Sequence, residues 1–262
     1  MHKYDGILIH KTRDDEGEIE VVEDSVYRSL HFGSDPKQSS MLLRDPLYLA
    51  LSYTRAMACA VLFHEAPKEI LLVGLGGGSL AKFLLQHFPE CRIDAVEFRQ
   101  AVVDVAHSHF QLPEDPRLHF HIGDGGSFVR NHAVRQEGRY DLIFVDAFVG
   151  GGISRSVCGI SFFDACRNLL TDNGVFSMNL WNGDFITARE MLEDIRESFA
   201  GNVLNLPVDG KDNTVAIAAR GKTLKKQLKQ VADKAKDMEQ KTGIEFPVFL
   251  KQIKKHSSWL SL

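Results

Sequence analysis

No stretch of the chain approaches the ~20 consecutive apolar residues needed to span a bilayer, and the N-terminus, Met1-His2-Lys3-Tyr4-Asp5, lacks the apolar core of a secretory signal. Cysteine is scarce. Cys59, Cys91, Cys158 and Cys166 are widely spaced with no C-x-x-C, which argues against a disulfide framework or a zinc knuckle and for reduced thiols that act as small hydrophobes. A cytosolic protein is expected. Strong charge of one sign is also missing: 31 Lys and Arg stand against 35 Asp and Glu, a net of −4, so the whole chain carries no electrostatic footprint for nucleic acid. Nor is there an internal repeat or a low-complexity segment. His107, His109, His119 and His121 have no carboxylate or thiol at ligand spacing, and no metal site is expected.

What remains is an ordinary folded chain of 262 residues, 44% hydrophobic and 25% charged, enough for one large domain or one domain with a small appendage. Its charge is uneven. From Gly221 onward ten Lys face four acids, a net of +6, so the preceding residues carry −10 of the total −4. Short β-like runs at 6–10, 19–22 and 26–30 predict a small N-terminal β-region over 1–45. Apolar residues at helical spacing predict a helix over 46–63, closed by Pro67. Strand-like segments at 69–73, 92–97, 118–122, 140–146 and 174–180 then alternate with helical ones at 79–87, 101–110, 128–134, 162–170 and 186–199. That rhythm predicts a doubly wound α/β fold over 46–220, a mostly parallel sheet with helices on both faces. Segments 203–207 and 214–219 flank Asp209-Gly210 and predict an antiparallel pair finishing the sheet. In the basic tail, 221–262, Leu224, Leu228, Val231, Ala235 and Met238 step by 4, 3, 4 and 3, the pattern of one amphipathic helix with Lys on its wet face.

The strongest local signal is Val73-Gly74-Leu75-Gly76-Gly77-Gly78-Ser79, glycines at the carboxyl end of the first strand of this unit and the start of the next helix. Backbone without Cβ admits a ligand closely, and a helix N-terminus offers free N–H groups. Glu97 follows Gly74 by 23 residues at the end of the next strand, where a carboxylate accepts hydrogen bonds from ribose hydroxyls. Asp124, in Gly123-Asp124-Gly125-Gly126 after the third strand, is placed to meet an adenine amino group. Each acid alone is also what an ordinary strand end carries. Together, at successive strand ends, they point to a nucleoside. A dinucleotide loop prefers Gly or Ala three residues after Gly76, where this chain has Ser79; the spacing favours an S-adenosylmethionine-type ligand over NAD.

These segments, with Tyr140-Asp141-Leu142-Ile143-Phe144-Val145-Asp146-Ala147-Phe148, Gly159-Ile160-Ser161-Phe162-Phe163 and Leu170-Thr171-Asp172-Asn173-Gly174-Val175-Phe176, resemble the spermidine synthase family and its bacterial spermidine synthase-like group. The resemblance runs from about Gln38 to Ala219. It implies a class I methyltransferase-like Rossmann fold, a homodimer, and transfer of an aminopropyl group from decarboxylated S-adenosylmethionine to a diamine, so that the partner is a small-molecule amine acceptor, a polyamine. By the same resemblance Glu97 would hold the ribose, Asp124 and Gly125 the adenine, and Gly74, Gly76, Gly77 and Gly78 would line the methionine-derived tail. Asp146 and Tyr53 would be the catalytic pair: Asp146 matches the first acid of the family's Asp-Ser-Ser-Asp-Pro motif beside the reacting amine, and Tyr53 the tyrosine of the polyamine channel.

The departures matter as much. The second acid of that motif falls on Val149, the acid inside the glycine loop on Gly77, and the residue after the channel tyrosine, commonly His or Gln, is Thr54. Each ammonium of a diamine buried without a carboxylate partner costs several kcal/mol, so the site is poorer for polyamines than the family's. Two other readings stay open. The same pocket suits intact S-adenosylmethionine and methyl transfer, with Gly150 to Gly152, Ser154, Arg155 and Ser156 as a lid whose Arg155 meets an anionic substrate; and a nucleoside-binding module without catalysis would carry the same strand-end acids.

Overall fold

The computed structural model describes residues 2–64, 66–149, 152–210, 212–221 and 223–257. The chain opens with six antiparallel strands in sequence order, β1 (His2–Lys3), β2 (Gly6–Asp14), β3 (Gly17–Glu23), β4 (Tyr27–His31), β5 (Lys37–Leu42) and β6 (Asp45–Leu49). The three expected runs are β2, β3 and β4; β1, β5 and β6 are additional. The helix expected over 46–63 is corrected: strand β6 occupies its start, α1 begins only at Ser52 (Ser52–Met57), and a 3-10 turn, Ala58–Phe63, completes it. β6 is an edge strand, so the missing N–H of Pro46 removes no ladder bond there. Residues 56–63 are all buried, which leaves no wet face to mark where the helix starts.

The second sheet has seven strands: β7 (Glu69–Val73), β8 (Arg92–Glu97), β9 (Leu118–Ile122), β10 (Tyr140–Val145), β13 (Leu170–Trp181), β14 (Val203–Pro207) and β15 (Asn213–Ala219). A separate short hairpin, β11 (Phe148–Val149) with β12 (Gly152–Ile153), follows β10. The order is β14-β15-β13-β10-β7-β8-β9. β15 runs antiparallel to both neighbours and the other six strands all run in one direction. The doubly wound fold expected from the sequence is thus the observed one. Period-two alternation sorts the strand residues between two cores: Ile70, Leu72, Leu142 and Phe144 face one, Leu71, Val73, Ile143 and Val145 the other. Burial on both faces requires the near-continuous apolar runs seen here, and each fully buried Leu or Phe contributes roughly 1.5–3 kcal/mol.

One core is covered by α4 (Gly125–Ala133), α5 (Ile160–Leu169) and α6 (Phe185–Ser198), the other by α2 (Ser79–His87), the 3-10 turn and the C-terminal helices. α3 (Gln100–His109) serves two cores, with Val103 and Ala106 in the main one and Val102 and Val105 packed with Ile19, Val21, Leu30 and Met41 of the N-terminal sheet. The tail is not the single helix expected over 224–238. It is α7 (Leu224–Gln227), α8 (Ala232–Thr242) and α9 (Phe246–Ser257). At Lys229 and Gln230 the N–H groups bond three residues back, to Lys226 and Gln227, which tightens the turn and redirects the axis. The expected apolar stripe is nonetheless inside: Leu224, Leu228, Val231 and Ala235 are buried with Phe246, Phe249 and Ile253. Lys234 ties α8 to the 3-10 turn through the carbonyls of Val61 and His64, at 2.9 and 2.7 Å.

Candidate active site

The sheet order reverses between β7 and β10, the position where doubly wound folds open a crevice at the carboxyl ends of their strands. A cavity of about 590 Å³ lies there, within the usual range for a ligand site. Its far wall comes from the N-terminal sheet, through Phe32, Ser34, Lys37, Gln38 and Ser39. Both folded parts of the chain therefore enclose it.

Strand β7 delivers the glycine loop. Gly74 has a φ of +94°, and a Cβ built there would stand 2.2 Å from the Asp146 carbonyl oxygen, so only glycine lets β7 and β10 approach this closely. Gly74 and Gly76 line the cavity. Gly77 and Gly78 do not. A Cβ on Gly77 would meet Ser39 Oγ at 2.8 Å and the Phe110 ring at 2.9 Å, and one on Gly78 would meet Leu112 at 2.7 Å. These two glycines allow the loop to pack against what lies behind it.

Glu97 ends β8. Its Oε2 accepts the Leu75 N–H at 3.0 Å and its Oε1 the Arg99 N–H at 3.1 Å, so the carboxylate is fixed before any ligand arrives. Burial pushes this carboxyl above the usual range while those amides pull it back. Asp124 follows β9 and caps α4, accepting the Ser127 N–H at 2.8 Å. Burial opposes its charge, but hydrogen bonds from Ser156 and Ser127 prevail and hold it below the ordinary carboxylate range. Beside it Gly125 leaves no room for a side chain, since a Cβ would stand 2.4 Å from Val73 Cγ1.

Asp146 follows β10, its N–H donating to the Val73 carbonyl at 2.8 Å. Asn179 of β13 donates Nδ2 to Asp146 Oδ1 at 3.0 Å, and Asn213 of β15 donates Nδ2 to Asn179 Oδ1 at 3.0 Å. The Tyr53 phenol of α1 completes the group, hydrogen-bonded to Asp146. Burial pushes the Asp146 carboxyl up to about 6, against the opposing bonds from Asn179 and Tyr53. The Tyr53 hydroxyl is pushed up too, by burial and by the Asp146 charge. It stays protonated and donates.

One cavity thus collects Tyr53, Gly74, Gly76, Glu97, Asp124, Gly125 and Asp146 from the expected site residues. Sequence reasoning missed Asn179, Trp181 and Asn213, which line it from β13 and β15, and Lys37 and Gln38 from β5. A signal existed for one of them: Asn179, 2% exposed, interrupts the apolar run of β13, and a buried strand amide requires a partner. Of the expected lid, Gly152, Ser154 and Ser156 line the cavity and Arg155 does not; Gly150 and Gly151 lie outside the described residues. Among the described residues no three His, Cys, Asp or Glu side chains gather as a metal group would require.

A family model described as "Spermine/spermidine synthase domain" matches residues 50–208. The polyamine aminopropyltransferase of Chromobacterium violaceum is 37% identical over 239 residues, covering 90% of this chain and 89% of its own. Among solved structures, a spermidine synthase in complex with the transition state analogue AdoDATO matches with a TM-score of 0.68 at 18% identity, over 86% of this chain and 79% of its own. Human methyltransferase-like protein 13 in complex with SAH matches with a TM-score of 0.61 at 25% identity, over 70% of this chain and 90% of its own.

Proposed function

The chain belongs to the spermine/spermidine synthase family, and from that premise we propose that it transfers an aminopropyl group from decarboxylated S-adenosylmethionine to an amine. The observation that carries this reading is Asp146, a half-buried carboxyl pushed up to about 6 and hydrogen-bonded by Tyr53 and Asn179, in the same cavity as Glu97 and Asp124. Glu97 takes the ribose hydroxyls, Asp124 and Gly125 the adenine edge, and Gly74 and Gly76 lie along the tail. The lone pair of an unprotonated amine attacks the tail methylene bound to the sulfonium. The new C–N bond forms as the C–S bond breaks, the sulfur keeps the bonding pair, and 5'-methylthioadenosine leaves. The nitrogen passes its extra proton to Asp146. The chain's contribution is orientation of two reactants and a base poised near the working pH.

The division at about 45 and 220, a cytoplasmic location and a homodimer belong to the same reading; gel filtration with light scattering tests the last. Methyl transfer from intact S-adenosylmethionine is the second reading. It is favoured by the absence of an acid at Gly77 and is weaker against the relatives. Incubating purified protein with an amine panel and either donor separates the two. Methylthioadenosine released from the decarboxylated donor supports aminopropyl transfer; S-adenosylhomocysteine from the carboxylated donor, with no methylthioadenosine, overturns it.

A further inference from the structure

Four carboxylates line the cavity among the described residues: Glu16, Glu97, Asp124 and Asp146. Their places in the sheet divide them. Glu97 and Asp124 follow β8 and β9, on one side of β7, whereas Asp146 follows β10 on the other. Glu16 lies in the β2–β3 turn, beside Asp14, which is paired to Arg99 at 2.6 Å, so it too belongs to the Glu97 side. On the far side of Asp146 the wall continues through β13 and β15 as Asn179, Trp181 and Asn213, with Tyr53 and Thr54 from α1. Every one of these is neutral. Thr54 is not even a free donor, since its hydroxyl donates to the Leu51 carbonyl at 2.7 Å.

The acids next to β13 and β15 in sequence do not fill the gap. Asp184 caps α6, accepting the Thr187 N–H and hydroxyl at 3.1 and 2.7 Å, and neither it nor Asp212 lines the cavity. An acid in the glycine loop has no space either, because Ser39 and Phe110 occupy what a Cβ on Gly77 would need. What this wall does offer is an aromatic face. Trp181 is 42% exposed, and its far side is covered by Gly183, where a Cβ would stand 2.1 Å from the indole Cζ2.

A buried ammonium is tolerated where a carboxylate meets it and is costly elsewhere. We infer that the acceptor is a monoamine: its one amino group reacts beside Asp146, and its remainder is non-ionic and lies against Trp181. This rests on the aminopropyl-transfer reading and adds the class of acceptor to it. Specificity then comes from what is missing, as a diamine would leave its second charge against neutral walls.

The test compares kcat/KM for methylthioadenosine release from decarboxylated S-adenosylmethionine with putrescine and cadaverine against pentylamine and phenethylamine. The expected result is a preference of about tenfold or more for the monoamines, greatest for phenethylamine. Trp181→Ala should erase the advantage of phenethylamine over pentylamine. Trp181→Glu, which supplies a carboxylate on the same wall, should move the preference toward the diamines; should that variant not fold, Trp181→Gln, which removes the ring without adding charge, stands in and should match Trp181→Ala. A wild-type preference for diamines overturns the inference and leaves aminopropyl transfer standing. Indifference of the monoamine order to Trp181→Ala likewise overturns it. Absence of turnover with every amine, despite thermal stabilisation by decarboxylated S-adenosylmethionine, overturns both.

Discussion

Asn179 holds Asp146: its Nδ2 sits 3.0 Å from Asp146 Oδ1, and its own carbonyl oxygen is in turn held by Asn213. The Asp146 carboxylate is therefore oriented by side chains from two strands beyond its own. Removing the proposed base while keeping its shape is the sharpest test. Asp146→Asn should lower kcat by about 10²–10⁴-fold while the dissociation constant for methylthioadenosine, read by calorimetry, changes little.

The carboxyl of Asp146 is pushed up to about 6 by burial, and it must be ionised to take a proton. The kcat profile should accordingly fall on the acid side through about pH 6. Asn179→Ala removes a bond that favours the charged form and should shift that limb to higher pH, an effect that simple loss of stability would not produce.

The same raised carboxyl has a consequence for folding. Its folded value lies above the ordinary 3.8, so the folded state disfavours the charge at every pH above about 6, and the penalty disappears as pH falls below the unfolded value. Asp146→Asn should therefore melt higher than wild type at pH 8, with the difference shrinking toward pH 4 in a scanning calorimeter. A variant that is more stable and inactive is the signature of a functional group held at a cost to the fold.

Gly74→Ala should be severe. The added methyl would stand 2.2 Å from the Asp146 carbonyl, at a φ of +94°, and the combined clash and strain should cost about 2–4 kcal/mol. Denaturant titration measures the loss directly.

Glu97→Gln replaces a carboxylate whose two oxygens each accept a backbone N–H with a group that can accept at one only. One amide loses its partner and ribose loses a charged acceptor. Affinity for methylthioadenosine should fall by about tenfold or more.

Much of one side of the cavity was legible because Gly74, Glu97, Asp124 and Asp146 each stand at or just past the carboxyl end of a strand of five or six residues, and parallel strands bring such ends together whatever their separation in sequence. The wall beyond Asp146 was not. Asn179, Trp181 and Asn213 share a cavity with Asp146 only because β13 lies between β10 and β15, an adjacency no local pattern encodes. Likewise Lys37 and Gln38 reach the cavity from a sheet whose fifth strand, Lys37–Leu42, has two serines where a hydrophobic alternation would advertise it. The tail deceived differently: its stripe at Leu224, Leu228, Val231 and Ala235 marked the buried face correctly, yet a change of axis at 229–230 leaves such a stripe unbroken.

Arg99, two residues beyond Glu97, grips the β2–β3 hairpin through Asp14, at 2.9 and 2.6 Å, and through the Gly17 carbonyl at 2.9 Å. Glu97 itself is bonded to the Arg99 N–H. One short turn thus has two arms, the first on the glycine loop through Glu97 and Leu75 and the second on the rim that carries Glu16. A ribose bound at Glu97 as proposed would compete for the carboxylate that holds this turn, and amide exchange at Glu16 and Gly17 would then register the arrival of the donor before any amine has entered.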